Sequence, residues 1–569
     1  MSGEASAVSL DISRMMSNNV GKTMQIAKGR TLAMRRTILA AVMAAAVAGL
    51  LAGASGPARA ETPADQLVIG MSMANIITFD PAAMTGRETT SVVTNIYDTL
   101  VRLDPVDRTL VNPGLAESWT IAEDGRSITF QLREGAQFAS GNPVTAEDVL
   151  WSYKRNIELG LVGAGVWVGF GFNAENFDEL VTADGNAITV RLPVEGDPQL
   201  VLYMFGKPDA AAVIDSKTAL ENVVGDDYAT AWLTNNTAGS GPFKLVSFAA
   251  NDLLLIDRNP NYWGEPAEMS RVFFRHMPES QTKRLMLERG DIDVGLALSV
   301  PDINALSANP DVEVQAVPAA GFYFLGVSMK DERFANDKVR EALRYLIDYD
   351  GINDTIMPNY GVKRQRPVAL GVLGALEDPG FELDIDKAKA LLAEGGYPDG
   401  FDVTLLSLNE SPFLDAATAI QATLAQAGIK AEIVTGNGNQ VYGPMRERNF
   451  EVIVGRGGGG QEPHPHSNLR AMVINPNNAD DAGLSGIIVW RTSWQDEQLN
   501  QMAAEALVIR DPEEQAAAYG AIQERVDVVI PALHIFSQAV DTAVFRADVE
   551  NYQTHYGWTT RLEDVSKAR

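Results

Sequence analysis

Between Phe401 and Arg456 strand and helix patterns alternate: FDVTLLSL, the helix AATAIQATLAQAG, AEIVTG, a helix at MRER, then FEVIVGR. This alternation constrains the chain more than any other feature, because parallel strands need a crossover such as a helix to join them. The expected outcome is a three-layer α/β lobe with a largely parallel sheet. Upstream, FYFLGVSM reads as another strand, and Asp337 begins a helix carrying Val339, Leu343, Leu346 and Ile347. Asp386 begins DKAKALLAEGGYP, which Gly395-Gly396 and Pro398 stop. A last helix, Glu513 to Val529, ends before Ile530-Pro531.

The first half has a different rhythm. LVIGMSM is a strand, and SVVTNIYDTLVRL has apolar residues at helical spacing. Ser118 to Thr120 leads into the turn Glu123-Asp124-Gly125-Arg126, after which Ile128, Phe130 and Leu132 alternate with polar residues as a half-buried strand. Thr145 and Asp148 have the spacing of a capping box, with Pro143 fixing the entry. AITVRL, FKLVSF and LLLIDR are strands separated by turns, so this half is mixed α+β. No low-complexity linker divides the halves, which points to lobes joined by two or more crossing strands.

Residues 37 to 54 form the one long apolar run, with Arg35-Arg36 before it and Gly56, Pro57 and Ala58-Arg59-Ala60 after it. These are the parts of a cleavable signal peptide, with cleavage after Ala60, rather than of a membrane anchor. Translation is expected to start at Met34, and Thr37-Ile38-Leu39 fits a twin-arginine signal poorly, so Sec export is expected. The chain has no Cys, which excludes disulfides, thiolate metal sites, Cys nucleophiles and a lipoprotein anchor. Its formal charge is −28, and it becomes −33 once residues 1 to 60 are removed, since they hold seven basic and two acidic residues. An acidic chain of this kind lacks the basic surface that nucleic acid requires.

The catalytic inventory is thin: there is no His-Glu-x-x-His, no Gly-x-Ser-x-Gly and no Gly-x4-Gly-Lys-Ser/Thr. Gly457 to Gly460 follow a strand without the Lys-Ser/Thr of a phosphate loop, so they read as a strand-end loop where backbone passes close to something. His464 and His466 flank Pro465 and could share a metal, although no third ligand lies nearby. Trp490, Arg491 and Trp494 follow a Gly/Asn/Asp-rich loop and suit either a ligand wall or the core.

Five segments resemble the family 5 extracytoplasmic solute-binding proteins of ABC importers, which include dipeptide-, oligopeptide- and nickel-binding members. They are Leu115 to Arg155, Gly239 to Gly264, Lys283 to Gly295, Phe324 to Ile352 and Asp384 to Leu406. The resemblance implies a two-lobed periplasmic-binding-protein-like fold of the large peptide-binding type, α/β with a mixed α+β first lobe and two hinge strands. It implies a signal peptide at 1–60, lobe I with an extra subdomain at 61–320, lobe II at 321–530 and a return to lobe I at 531–569. It further implies a periplasmic monomer that takes a small-molecule or short-peptide ligand to ABC permease and ATPase subunits at the inner membrane, with no nucleic acid, no cofactor, no resident metal and no catalytic residue. The alternatives are a metal chelate or nickel cargo, an opine or sugar-derived cargo and, more distantly, a secreted hydrolase.

In peptide-binding members, the loop matching GRGGGGQEPHPH carries an Asp that pairs with the ligand's ammonium group. Aligned on Glu462-Pro463, this chain has Gly459 at that position and Arg456 nearby. The departure suits an anionic or modified solute, since an Arg grips carboxylate or phosphate bidentately. The expected ligand contacts are therefore Arg456 as anion anchor, Phe322 and Tyr323 as apolar walls, and Gly457, Gly458, Gly459 and Gly460 as backbone surface. Gln461, Glu462, His464 and Trp490 are further contacts. The competing reading pairs Arg456 with an acid outside the cleft.

Overall fold

The structure is a computed structural model that describes residues 62–458 and 462–568. The expected leader, its cleavage point and the start at Met34 lie outside the described residues. So do Gly459, Gly460 and Gln461. No helix among the described residues is long and apolar enough to cross a membrane.

An 11-stranded sheet runs through the molecule. At one end, Asp402–Leu408 pairs in parallel with Lys430–Gly436 and with Val452–Gly457, the arrangement expected from the strand–helix alternation. At the other end, Gln66–Met71 lies parallel to Arg271–His276 and Val294–Leu296, and Leu253–Arg258 and Phe243–Ala249 continue antiparallel. Two long antiparallel strands, Val312–Val327 and Leu533–Arg546, join the ends. Each changes neighbours along its length. Val312 to Pro318 pairs with the part of the return strand that meets Val294–Leu296, whereas Phe322 to Val327 pairs with Val452–Gly457. The register shifts between Pro318 and Phe322, so Ala319 to Gly321 form a bulge at the crossing.

A bulge loses ladder bonds, and buried carbonyls need other donors. Here Gln538 donates to Ala319 O at 2.7 Å and Asn468 donates to Ala320 O at 2.8 Å, both from buried side chains. Asn468 also donates to Gly458 O at 2.8 Å, which ties the bulge to the end of the neighbouring strand.

A four-stranded antiparallel sheet forms a separate layer in the order Ala116–Ile121, Ser127–Leu132, Ala187–Arg191, Val181–Asp184. Ile128, Phe130 and Leu132 point into its core as their alternation predicts, and side chains of this size each gain roughly 1.5–3 kcal/mol from burial. The helix Ala146–Leu159 packs beside this sheet and opens with the Thr145/Asp148 capping box. Its Arg155 forms a fully buried two-point ion pair with Asp80, at 2.8 and 2.5 Å.

Two expected helices differ. The run read as a helix from Ser91 to Leu103 is helical only over Gly86–Val93, and Val101–Leu103 is a strand. The carbonyls of Asn95, Ile96 and Asp98 accept from Phe243, Gly241 and Val213, so tertiary bonds replace a continued helix. The helix placed at MRER is Gly438–Arg446, and it ends before Arg448, which is left-handed at φ 58°. The final helix, Pro512–Val529, stops at left-handed Ile530. Its last turn receives Arg344, donating to Asp527 O at 2.7 Å, and Arg340, donating to Ile530 O at 2.9 Å, cations where the helix dipole favours them.

Candidate functional site

Two cavities meet at the crossing of the long strands. One, of ≈ 410 Å³, lies over the bulge and touches Phe413, Tyr442, Arg456, Asp541 and Trp558. The other, of ≈ 520 Å³, shares Phe413, Arg456 and Trp558 and reaches Arg87, Tyr323 and Glu410.

Arg456 sits at the end of Val452–Gly457, where strand pairing fixes its backbone, and its N–H donates to Tyr442 Oη at 2.9 Å. Its guanidinium lies 5.6 Å from the Tyr323 ring centroid and 3.9 Å from Asp541 Oδ1. Asp541, on the return strand, is buried and accepts a hydrogen bond from Arg87, in the first turn of Gly86–Val93. Arg456, the expected anion anchor, and the acid beside it therefore both lie at the cavities. Burial raises the Tyr323 hydroxyl above its ordinary value, and the nearby Arg456 opposes part of that rise.

Three buried polar atoms around this centre, Asp541 Oδ2, Trp558 Nε1 and Tyr556 Oη, have no hydrogen-bond partner among the described residues. Trp558 is also left-handed at φ 67°, a strained conformation for a bulky residue. Strain and unsatisfied groups gathered at one cavity are features of a binding site.

Gly457 and Gly458 line the first cavity, but their lack of Cβ serves the protein's own packing. A Cβ on Gly457 would stand 2.3 Å from Ile488 Cδ1, and one on Gly458, at φ +83°, 2.2 Å from Met472 Sδ. Tyr323 lines the second cavity. Phe322 takes the opposite face of the same strand, fully buried in the core of the second half.

The remaining expected contacts that are described lie elsewhere. Glu462 is buried and accepts from Lys207 Nζ at 3.0 Å and Ser467 Oγ at 3.2 Å. Burial would raise its pKa, but Lys207 and Arg470 outweigh that and bring it down to about 2. The backbone N–H of His466 donates to His464 Nδ1 at 3.1 Å, so Nε2 carries the proton and donates to Asp197 Oδ2 at 3.2 Å. Both nitrogens of His464 are thus engaged, leaving no lone pair for a metal. Burial, with His464 and Arg470 close by, lowers His466 to about 3. No group of three or more metal-ligating side chains forms among the described residues. Trp490 is buried, donates to Ala479 O at 3.3 Å and lies under the Arg448 guanidinium at 4.5 Å. Phe322, Glu462, His464 and Trp490 are therefore packing and bridging residues in this structure, and none lines either cavity.

Arg87, Asp541, Tyr556 and Trp558 are the residues that sequence reasoning missed. The available signals were a cation in the first turn of a helix, where the dipole favours anions, and a Gly-Trp step near the chain end.

The model of the family "Bacterial extracellular solute-binding proteins, family 5 Middle" matches residues 111–480. The chain is 29% identical over 435 residues to the probable D,D-dipeptide-binding periplasmic protein of Escherichia coli (strain K12), covering 75% of this chain and 79% of that one. It is 26% identical over 462 residues to the glutathione-binding protein of Shigella flexneri, covering 79% and 85%. Among solved structures, a periplasmic binding protein of Helicobacter pylori in complex with the peptide STSA has a TM-score of 0.72 at 23% identity, over 88% of this chain and 98% of that one. The fold is the two-lobed one of periplasmic peptide-binding proteins, and the chain belongs to family 5 of the bacterial extracellular solute-binding proteins.

Proposed function

We propose that this chain is the capture component of an ABC importer. It binds a peptide or peptide-like solute between its lobes and hands it to an inner-membrane permease served by an ATPase. The observation that carries this reading is the pair of cavities, ≈ 410 and ≈ 520 Å³, at the strand crossing, with walls from both halves of the chain. Family membership supports the solute-binding role, and relatives named for D,D-dipeptides and glutathione support a peptide-like cargo. The protein acts as a periplasmic monomer after loss of residues 1–60, and it is not an enzyme.

Lobe I spans 61–320 with the four-stranded layer as its extra subdomain, and lobe II follows from 321. The bulge at Ala319 to Gly321 supports the outbound hinge. Partner exchange on the return strand supports a return hinge at Gln538 to Asp541, eight to eleven residues beyond the boundary at 530. Arg456 is the anion anchor, and Tyr323 and Phe413 are apolar walls. His464 gives no support to the alternative of a nickel or metal-chelate cargo, because both its nitrogens are engaged, whereas His466 Nδ1 has no hydrogen-bond partner among the described residues.

Ligand must favour the closed arrangement over the open one to shift the equilibrium between them. In small-angle scattering with a panel of dipeptides and glutathione, a binding solute shrinks the radius of gyration and raises Tm without being consumed. Turnover of the solute, or stabilisation by none of the panel, overturns the reading.

A further inference from the structure

We propose that Arg87, Arg456 and the indole N–H of Trp558 form a carboxylate clamp drawn from both lobes, with Asp541 as its positioning residue, so that the cargo carries a carboxylate bound at the strand crossing. The inference rests on the reading of the chain as a solute-binding protein and names the group that the site reads.

The charges do not balance locally. Asp541 Oδ1 serves two guanidiniums, accepting from Arg87 and lying 3.9 Å from Arg456. One carboxylate against two guanidiniums leaves a positive charge, and both arginines are only about three-quarters buried, with side chains 23% and 26% exposed. Lys283 lies in the same field, where Asp302, Glu279 and Glu88 offset part of its charge. It is buried and held by the carbonyls of Leu296 and Ala297 at 2.8 and 2.9 Å, and burial together with Arg87 lowers it to about 8. The one other acid lining the cavities among the described residues, Glu410, is exposed and screened by water.

The unused donor capacity points the same way, while Asp541 Oδ2 is an unused acceptor at the same centre. The Trp558 indole N–H is buried without a partner, and Trp558 touches both cavities. The Arg87 guanidinium lies 5.9 Å from its ring centroid, so this donor and the cation occupy one corner. Two guanidiniums at a cavity, beside a residue whose indole N–H has no partner, ask for an acceptor, and a carboxylate can take two parallel bonds from one guanidinium. Arg87 belongs to the first half of the chain, Arg456 to the second, and Asp541 to the strand that joins them. A bound carboxylate adds the missing negative charge between the halves, which favours their approach.

The test is calorimetric. A panel of dipeptides, their C-terminal amides, glutathione, non-peptide carboxylic acids such as citrate and gluconate, and neutral sugars is titrated into the full chain and into Arg87→Gln, Arg456→Gln, Arg456→Lys and Asp541→Asn. The expected result is binding of acids, with amides of the same peptides weaker by roughly 30-fold or more, the scale of a lost charge-paired contact. Each Arg→Gln variant abolishes this preference, Arg456→Lys keeps part of it, and Asp541→Asn lowers affinity for acid and amide in different proportion. Circular dichroism and Tm without ligand establish that each variant is folded. Equal binding of acids and amides overturns the clamp and leaves the peptide reading standing. Binding of non-peptide acids alone overturns the peptide reading and leaves the clamp standing. No binding of any acid, or acid preference surviving in both Arg→Gln variants, overturns the clamp.

Discussion

Two charged sets bridge the same halves of the molecule and differ in kind. Lys207 with Glu462 and Asp197 with His464 join the first half of the chain to residues that follow Val452–Gly457, all four residues are buried, and each has its partner. Arg87, Asp541 and Arg456 meet a few residues earlier in that loop's approach, beside open cavities, with capacity left over. A satisfied set can only hold the halves together, whereas an unsatisfied one waits for another molecule. Sequence proximity therefore does not predict role: Glu462 and His464 lie close to Arg456 in the chain and belong to the holding set.

The largest effect is expected from breaking the holding set on one side. Lys207→Ala leaves the buried Glu462 carboxylate without its ion-pair partner, at a cost of about 3–5 kcal/mol in urea denaturation at pH 7, and Glu462→Ala costs less, because Asp209 stays 3.9 Å from Lys207 Nζ. Replacing both with apolar residues, Lys207→Met with Glu462→Leu, restores part of that loss, because neither charge of the pair remains to desolvate while Asp209 loses its cation. The acid limb carries a second readout. The folded-state value of Glu462, about 2 against an ordinary 4.5, means its stabilisation is present above pH 4.5 and lost as pH falls toward 2. The double variant flattens that part of the profile, and an unchanged profile would show that the pair contributes nothing.

Next is the loop geometry that separates the two sets. Gly458→Ala forces a side chain into a left-handed residue and against Met472 Sδ, 2.2 Å from the new Cβ. The backbone part alone costs roughly 1–2 kcal/mol. Met472→Ala removes the overlap but by itself costs roughly 2–5 kcal/mol as the truncation of a buried side chain, so the double variant measured against Met472→Ala alone isolates the backbone part. If Gly458→Ala is neutral, the glycine is not required by packing.

The sequence carried the second half well because strand and helix periodicities are local. Val339, Leu343, Ile420 and Leu424 are buried where their spacing places them. It failed at Ser91 to Leu103 because carbonyls that a helix would use are taken by residues more than a hundred positions away. The site divides in the same way. Arg456 was legible as a cation at a strand end. Arg87, Asp541 and Trp558 were not, since only the strand crossing brings positions 87, 456, 541 and 558 together. Trp490 carried a correct chemical signal with the wrong partner: the cation over its ring is the protein's own Arg448.

A smaller effect comes from two histidines that desolvation holds neutral. His466 falls to about 3 and His555 to about 4 through burial, so both stay neutral between pH 5 and 8. Unfolding frees them to protonate near 6.5, so their contribution is full above that pH and lost as pH falls toward the folded values. Each steepens the acid loss of stability by up to about 1.4 kcal/mol per pH unit. His466→Gln removes one share of that slope, and imidazole signals followed by NMR stay untitrated above pH 5. Titration of His466 near 6.5 would show that it is solvated and that its neighbours leave it free.

The smallest expected effect compares two tryptophans. Trp490 and Trp558 each have an arginine over the ring, at 4.5 and 5.9 Å, yet the Trp490 indole N–H is used by Ala479 O and that of Trp558 is not used by any described residue. Substitution by Phe keeps most of the apolar surface and removes the N–H donor. Trp490→Phe therefore lowers Tm slightly, through the lost bond to Ala479, and leaves affinity for a carboxylate-bearing solute unchanged. Trp558→Phe leaves Tm nearly unchanged, because no intramolecular bond is lost, and weakens that affinity by about 0.5–1.5 kcal/mol, the net worth of one hydrogen bond. Calorimetry and thermal unfolding on the two variants form a crossed pair: a loss of affinity in Trp490→Phe, or none in Trp558→Phe, would exchange the roles of the two regions.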